Sequence, residues 1–338
     1  MNKSGMSTKF CPLVSVIVPL FNGSMYIESC LRSILAQTYD KYEIIVVNDG
    51  STDDSMEKVE DIYRQFPDRI RIVYHPDHRN HGIAASRNCG IIHARGEYIA
   101  FLDQDDLWID EKLRKQIDVL RNYPETPLVY AKTMFIDEKE QTISVDNKFA
   151  AAGRGYAEIP KNVFKNIITE NFIPTLTVLV LKNSLIKYGC FEEGPRHEYE
   201  DWLLWSKMAY SEKFLFLPEV LSKYRLHSEN YSFFRLKSGL DTKAEEHYII
   251  TLYKYLLKDK NCNWEKIHRF FRKSIFRFFI RARSYGVSKN QLEAHKNKLL
   301  EEFPEGVKNI QTAFMVAKLL NPRILYVIRR IYRIIIRI

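Results

Sequence analysis

The sequence predicts an α/β fold: a mostly parallel sheet with helices on both faces, followed by a helical, basic C-terminal region. Two observations predict the sheet. Strand-like and helix-like stretches alternate four times between residues 14 and 102, and each strand-like stretch ends in polar side chains. A third observation, charge, predicts the C-terminal region. The 338 residues carry a net +9, yet those after residue 240 hold 21 Lys+Arg against 9 Asp+Glu, leaving 30 bases against 33 acids ahead of them. The basic part therefore calls for an anionic partner, and the shift in charge sets a boundary between residues 1–235 and residues 236–338.

Hydrophobic residues at 46% and charged residues at 28% are those of a globular chain able to bury a core. The five cysteines (Cys11, Cys30, Cys89, Cys190, Cys262) are odd in number and form no Cys-x-x-Cys pair. That pattern argues against a disulfide framework or a zinc site and for a reducing compartment. No signal-like apolar stretch opens the sequence, and no apolar run of about 18 residues occurs.

Val14-Ser-Val-Ile-Val-Pro-Leu-Phe21 reads as a strand buried on both faces. The helix after it buries Ile27, Leu31, Ile34 and Leu35, with Ser24 as its N-cap. Tyr42 to Asn48 is the second strand, ending in Asp49-Gly-Ser-Thr-Asp53 before a helix with Met56, Val59, Tyr63 and Phe66 on one face. Arg69 to Tyr74 is the third strand, and Gly82 to Ala94 a helix of small residues. The fourth strand, Tyr98 to Leu102, runs straight into Asp103, Asp105 and Asp106. Beyond it come a helix carrying Leu113, Gln116, Ile117 and Leu120, a strand at Leu128 to Ala131, a long loop over 137–158 and a strand from Thr175 to Leu181. A helix begins at Glu200 with Asp201 in its first turn, where the helix dipole favours negative charge.

The polar strand ends (Asn22, Asp49, His75, Asp103 to Asp106) line one sheet edge, where open α/β folds bind ligands. Three carboxylates in four residues form a dense anion at neutral pH. A hard divalent cation that also holds phosphate oxygens is the simplest partner for them. No Gly-x-Gly-x-x-Gly or Gly-x-x-x-x-Gly-Lys occurs, so a bound nucleotide has to be held by side chains and a metal.

Six pieces carry a family resemblance: Ser15-Val-Ile-Val-Pro-Leu-Phe-Asn22, Val47-Asn-Asp-Gly-Ser-Thr-Asp53, Asn80 to Gly90, Phe101-Leu-Asp-Gln-Asp-Asp106, Glu200-Asp-Trp202 and Tyr224-Arg-Leu-His227. Together they make the first 230 residues resemble the family-2 inverting glycosyltransferases of GT-A fold, of the bacterial polysaccharide or glycolipid type. The resemblance implies a nucleotide-sugar donor, a glycan or lipid-linked acceptor, and Mg²⁺ or Mn²⁺. It sets Pro19 and Asp49 against the base, Arg87 toward the diphosphate, and Asp103 near ribose and metal. Asp105 becomes the direct metal ligand, His227 a further candidate ligand, and Asp201 the catalytic base. The chemistry needs these types: charge building on a departing diphosphate calls for a cation, and the attacking hydroxyl must lose a proton to a carboxylate. A scaffold that has lost the chemistry and a nucleotidyltransferase are the alternatives. The four aspartates speak against the first, and the missing Gly-rich basic loop against the second.

In the C-terminal third, Trp264 to Tyr285 interleaves phenylalanines with arginines. Residues 322–338 contain no acid and place Arg329, Arg333 and Arg337 four apart. As a helix, 322–338 is too costly to span a bilayer, since its three central arginines cost about 9 kcal/mol against about 4 returned by the aliphatic residues. It is expected to lie in an anionic membrane surface, a helix packed on the domain with a solvated charged side being the alternative. The protein is accordingly expected in the cytoplasm, peripheral on the inner face of the cell membrane. Nucleic acid is not expected among its partners.

Overall fold

The computed structural model describes residues 10–145, 161–194, 199–228, 242–303 and 307–319. The chain divides into two compact units, one of Met1–Val163, Phe172–Glu193 and Ser211–Leu226, the other of Phe164–Asn171, Gly194–Tyr210 and His227–Ile338. Two short segments that precede residue 235 thus go with the C-terminal region.

The first unit is built on a nine-stranded sheet. Strands β1 (Val14–Leu20), β2 (Tyr42–Asn48), β3 (Ile70–Tyr74) and β4 (Tyr98–Phe101) run parallel. They are joined by β5 (Leu107–Trp108), β6 (Leu128–Ile136), β7 (Thr142–Val145), β8 (Leu179–Leu181) and β9 (Leu215–Arg225). The order is β3-β2-β1-β4-β8-β6-β9-β5, with β7 on β6. β8 runs against both β4 and β6, and β5 and β7 pair antiparallel as well, so the mostly parallel sheet carries short antiparallel additions. The turn from β6 to β7 shows one reason: five residues suffice for a hairpin but not for a parallel crossover.

Alternation along β1 explains why helices cover both faces. Val14, Val16, Val18 and Leu20 enter a core shared with α1 (Ile27–Leu35), α2 (Ser55–Gln65) and α4 (Lys112–Asn122). Ile17 points the other way, against Gly90 of α3 (Ile83–His93), where an added Cβ would lie 2.5 Å from the Ile17 side chain. Only glycine lets that helix approach so closely.

Several local expectations are corrected. Ser24 does not cap α1; its N–H donates to Asp53, and Tyr26 holds the N-cap position without a side-chain bond. Cys30, not Leu35, completes the buried stripe of α1. On α2 the core takes Val59 and Ile62, in line with the buried Ser55 at i, i+4 and i+7, while Tyr63 and Phe66, the latter past the last turn, are exposed. The segment from Thr175 opens as a 3-10 turn, Thr175–Thr177, before β8. Within the loop expected over 137–158, Thr142–Val145 forms β7, and residues 146–158 lie outside the described residues.

After β8 the first unit continues with α6 (Lys182–Lys187). The second unit is helical: α5 (Phe164–Ile167), most of α7 (Glu200–Ser211), α8 (Thr242–Leu256), α9 (Trp264–Ser284), α10 (Lys289–Glu302) and α11 (Val307–Leu319). Tyr248 of α8 stacks on Trp202 of α7 with ring centroids 4.0 Å apart and shares a 2.9 Å hydrogen bond with Ser206. The helix expected over 322–338 lies outside the described residues. Among the described residues no helix is long and apolar enough to cross a membrane.

Candidate active site

The Asp103–Asp106 turn leaves β4 beside the end of β1, where the sheet order switches from β2 on one side to β4 on the other. Open α/β sheets place ligands at such a point. Three residues, Gln104, Cys30 and Arg225, fix the turn. Gln104 donates to Phe21 O (2.9 Å) and accepts from Phe21 N (2.8 Å), pairing with the loop after β1 as a strand would. The Cys30 thiol, buried on α1, donates to Asp103 O at 3.5 Å. Arg225, at the end of β9, donates from its main-chain N–H to Asp106 Oδ1 (2.8 Å) and from Nε to Asp105 O (2.8 Å). Arg225 is itself 1% exposed.

The rest of the Arg225 guanidinium reaches Glu138 O (3.3 Å) and the Glu140 carboxylate (3.1 Å) in the β6–β7 turn, and it stacks on Tyr26. One side chain therefore ties a hairpin turn to the acidic turn. Asp106 is fully enclosed, and its Oδ2 has no hydrogen-bond partner among the described residues. Burial first, then the charges of Asp105 and Asp103, push its carboxyl well above the usual range.

Asp103 meets Arg87 of α3, whose guanidinium donates to both carboxylate oxygens at 2.9 and 3.2 Å. Arg87 is 3% exposed and lies over the Phe191 ring, whereas the Asp103 side chain is 29% exposed. Asp103 thus presents a carboxylate whose charge is already half answered from behind. The Arg87 expected at a diphosphate is, in this structure, the partner of Asp103.

Asp49 follows β2 and is buried. Its oxygens accept from the main-chain N–H groups of His81 (2.7 Å) and Gly82 (2.9 Å). His75 Nε2 lies 3.3 Å from Asp49 Oδ1 and 3.0 Å from Ser86 Oγ. A carboxylate has about four acceptor sites, so capacity remains for one more donor. Gly50 next to it has φ +77°, and a Cβ there would meet the Arg79 and Asn80 main chain at 2.9 Å; the 78–82 segment can close over Asp49 only because this position is glycine. Pro19 sits near the carboxyl end of β1, opposite Val47. Odd residues of β1 face β4, which pairs only as far as Ile17, so the missing proline N–H leaves no gap in the ladder.

Asp201 stands in the first turn of α7, in the second unit. Its carboxylate accepts from Trp202 N (2.6 Å) and from the Asn171 amide at 3.2 and 3.3 Å. Trp202 in turn donates to Ile167 O, which fixes the segment bearing Asn171. Glu200 is half-buried beside it, and His227 is half-buried two residues past the end of β9. The structure thus brings Arg87 to Asp103 and wraps Asp49 in the 75–82 segment.

The donor set fits a hard divalent cation. Among the described residues no group of three His, Cys, Asp or Glu side chains could hold a metal by itself. One or two carboxylates, Asp105 with Asp103, match an ion of the Mg²⁺ kind, which completes its shell with phosphate oxygens and water. Sequence reasoning missed Gln104, Asn171 and Arg225. A lone arginine closing the mostly apolar run of β9 was the one available signal, and it lay inside the Tyr224 to His227 piece.

A class follows from this geometry: an α/β protein with carboxylates mounted outside the carboxyl edge of its sheet, where open α/β folds bind ligands. Residues 15–178 match the family described as Glycosyl transferase family 2. An uncharacterized glycosyltransferase of Rickettsia typhi is 33% identical over 219 residues, covering 64% of this chain and 65% of that protein. TuaG of Bacillus subtilis, a putative teichuronic acid biosynthesis glycosyltransferase, is 29% identical over 235 residues, covering 70% and 87%. The crystal structure of S. aureus TarS 1-349 in complex with UDP-GlcNAc superposes with a TM-score of 0.71 at 17% identity, over 90% of this chain and 89% of that one. That likeness is one of fold. Residues 15–178 are thus similar to glycosyl transferase family 2, the fold is that of the GT-A glycosyltransferases, and the chain spans 65% of the length of the R. typhi relative it matches.

Proposed function

We propose that the chain is a metal-dependent, inverting glycosyltransferase. Its donor is a nucleotide sugar, a UDP-hexose or UDP-N-acetylhexosamine, and its acceptor a hydroxyl of a glycan or lipid-linked saccharide. The observation that carries this reading is the pinned acidic turn: hydrogen bonds through Gln104, Cys30 and Arg225 hold Asp103 to Asp106 at the switch point of the sheet. A turn restrained at this density positions its carboxylates for a ligand rather than for solvent.

In this reading Asp49 accepts a hydrogen bond from a ring N–H of the base, and Pro19 walls the base pocket. Asp105, aided by Asp103, would hold Mg²⁺ or Mn²⁺, which would offset the charge that develops on the departing diphosphate. Arg87 balances Asp103 from the buried side, and His227 is a further candidate for the same charge. Asp201 takes the proton of the attacking hydroxyl, so a single displacement inverts the anomeric carbon without an enzyme nucleophile. Residues 322–338 serve as an interfacial anchor on the inner face of the membrane.

The test is metal-dependent release of UDP from a panel of UDP-sugars. Asp105→Asn should abolish the metal-dependent part while the circular dichroism spectrum is retained. Full turnover in that variant, or undiminished wild-type turnover in excess chelator, refutes the assignment.

A further inference from the structure

The second unit carries a basic surface distinct from the residues assigned to the proposed transfer. Helix α9 is 21 residues long, about 31 Å, and buries one face through Ile267, Phe270, Phe271, Ile275 and Phe278. Its opposite face exposes Lys266, Arg269, Arg272, Lys273, Phe276 and Arg277. The spacing, near i, i+3, i+7 and i+11, makes these one continuous stripe.

Two features separate this stripe from an ordinary solvated face. The first is pairing. Exposed arginines on the helices of the first unit have acids three or four residues away: Arg32 with Glu28, Arg64 with Asp61, Arg121 with Asp118. Lys266, Arg269, Arg272 and Lys273 form no ion pair with any described residue, and the helix holds a single acid, Glu265. Like charges at i, i+3 and i+4 repel one another, so α9 carries an uncompensated cost that an external anion would relieve. The second feature is Phe276, 42% exposed, one helical turn beyond Arg272 and Lys273. An aromatic ring set among cations suits a boundary where phosphate head groups meet acyl chains.

We propose that the exposed stripe of α9 docks on an anionic phospholipid surface, with the four unpaired cations on head-group phosphates and Phe276 inserted between them. A dissolved polyanion would satisfy the cations but leave the ring in water. The surface is independent of residues 322–338, whose role as an anchor is a separate proposal.

The experiment uses the full chain and sedimentation with vesicles of phosphatidylcholine containing 30% phosphatidylglycerol, against pure phosphatidylcholine. Each basic residue at such a surface contributes about fivefold in partitioning at low salt, so Arg269→Gln/Arg272→Gln/Lys273→Gln should weaken binding about 100-fold. Phe276→Ser should weaken it severalfold in a salt-insensitive way. A control with the same loss of charge, Arg32→Gln/Arg64→Gln/Arg121→Gln, should bind as the wild type does. If wild type binds and the α9 triple variant binds equally, the stripe is refuted and the 322–338 anchor stands. If wild type shows no preference for the anionic vesicles, both fall. Tight binding to a deoxythymidine oligonucleotide without vesicle binding overturns the lipid assignment in favour of nucleic acid.

Discussion

Lys112 offers the sharpest test of the energetics. It opens α4 three residues after Ile109 and is fully buried in the first unit. Its Nζ donates to Gln116 Oε1 (2.8 Å), lies 3.5 Å from Val178 O, and sits 4.2 Å from the Trp108 ring centroid. The ring favours an ammonium, but among the described residues no carboxylate pairs with it, and burial pushes the Lys112 amine well below the usual lysine value. The unfolded chain therefore binds one more proton than the folded protein, between that lowered value and about 10.4. Stability should rise with pH across this window by about 1.4 kcal/mol per unit and level off above it.

Lys112→Met removes the titration while keeping most of the side-chain volume against Trp108. It leaves Gln116 Oε1 without its donor, a loss of about 1–3 kcal/mol, whereas the relieved protonation cost grows by about 1.4 kcal/mol for each pH unit down through that window. The variant should then equal or exceed wild type near neutral pH and fall behind it by pH 10. Other groups that ionise in alkali, Cys30 and Tyr39 among them, are common to both proteins and cancel in the difference. The assay is urea denaturation followed by tryptophan fluorescence at pH 8, 9 and 10. Parallel stability profiles for the two proteins would refute the reasoning, because they would mean that Lys112 is charged in the fold.

Two further predictions concern the proposed chemistry. Asp201→Asn should lower kcat by about 10²–10⁴ with UDP affinity retained, and Asn171→Leu should lower kcat by about 10-fold with KM nearly unchanged; a larger loss in Glu200→Gln than in Asp201→Asn would move the base to Glu200. Arg225→Met strips the donor from Asp105 O and from the β6–β7 turn and should cost about 2–4 kcal/mol, read as a lower urea midpoint. The same variant should raise the Mn²⁺ concentration needed for half-maximal turnover, and a wild-type metal requirement would show that Arg225 supports the fold alone.

Much of the first unit was legible in the sequence because its signals are local. A run such as Tyr42 to Asn48 can bury all seven residues only as an interior strand, and the alternation of such runs with amphipathic stretches implies crossover helices. The acids after β4, and the Glu200–Asp201 pair at a helix start, were visible because strand ends and helix starts are marked by composition. What stayed hidden depends on pairings between residues distant in the chain. β8 pairs with β4 and β6, both far ahead of it in the chain, and nothing in Leu179–Leu181 states its direction. Arg225 meets Asp105 and Glu140 only once β9, the acidic turn and the β6–β7 hairpin have converged, so its role exists only in the folded chain. Likewise the sequence supplied Asp103 and Arg87 as separate candidates; α3 packing on β1 through Gly90 is what turns them into one ion pair. Hydrophobic period is written residue by residue, whereas the partner of a buried charge is decided by which elements the sheet brings side by side.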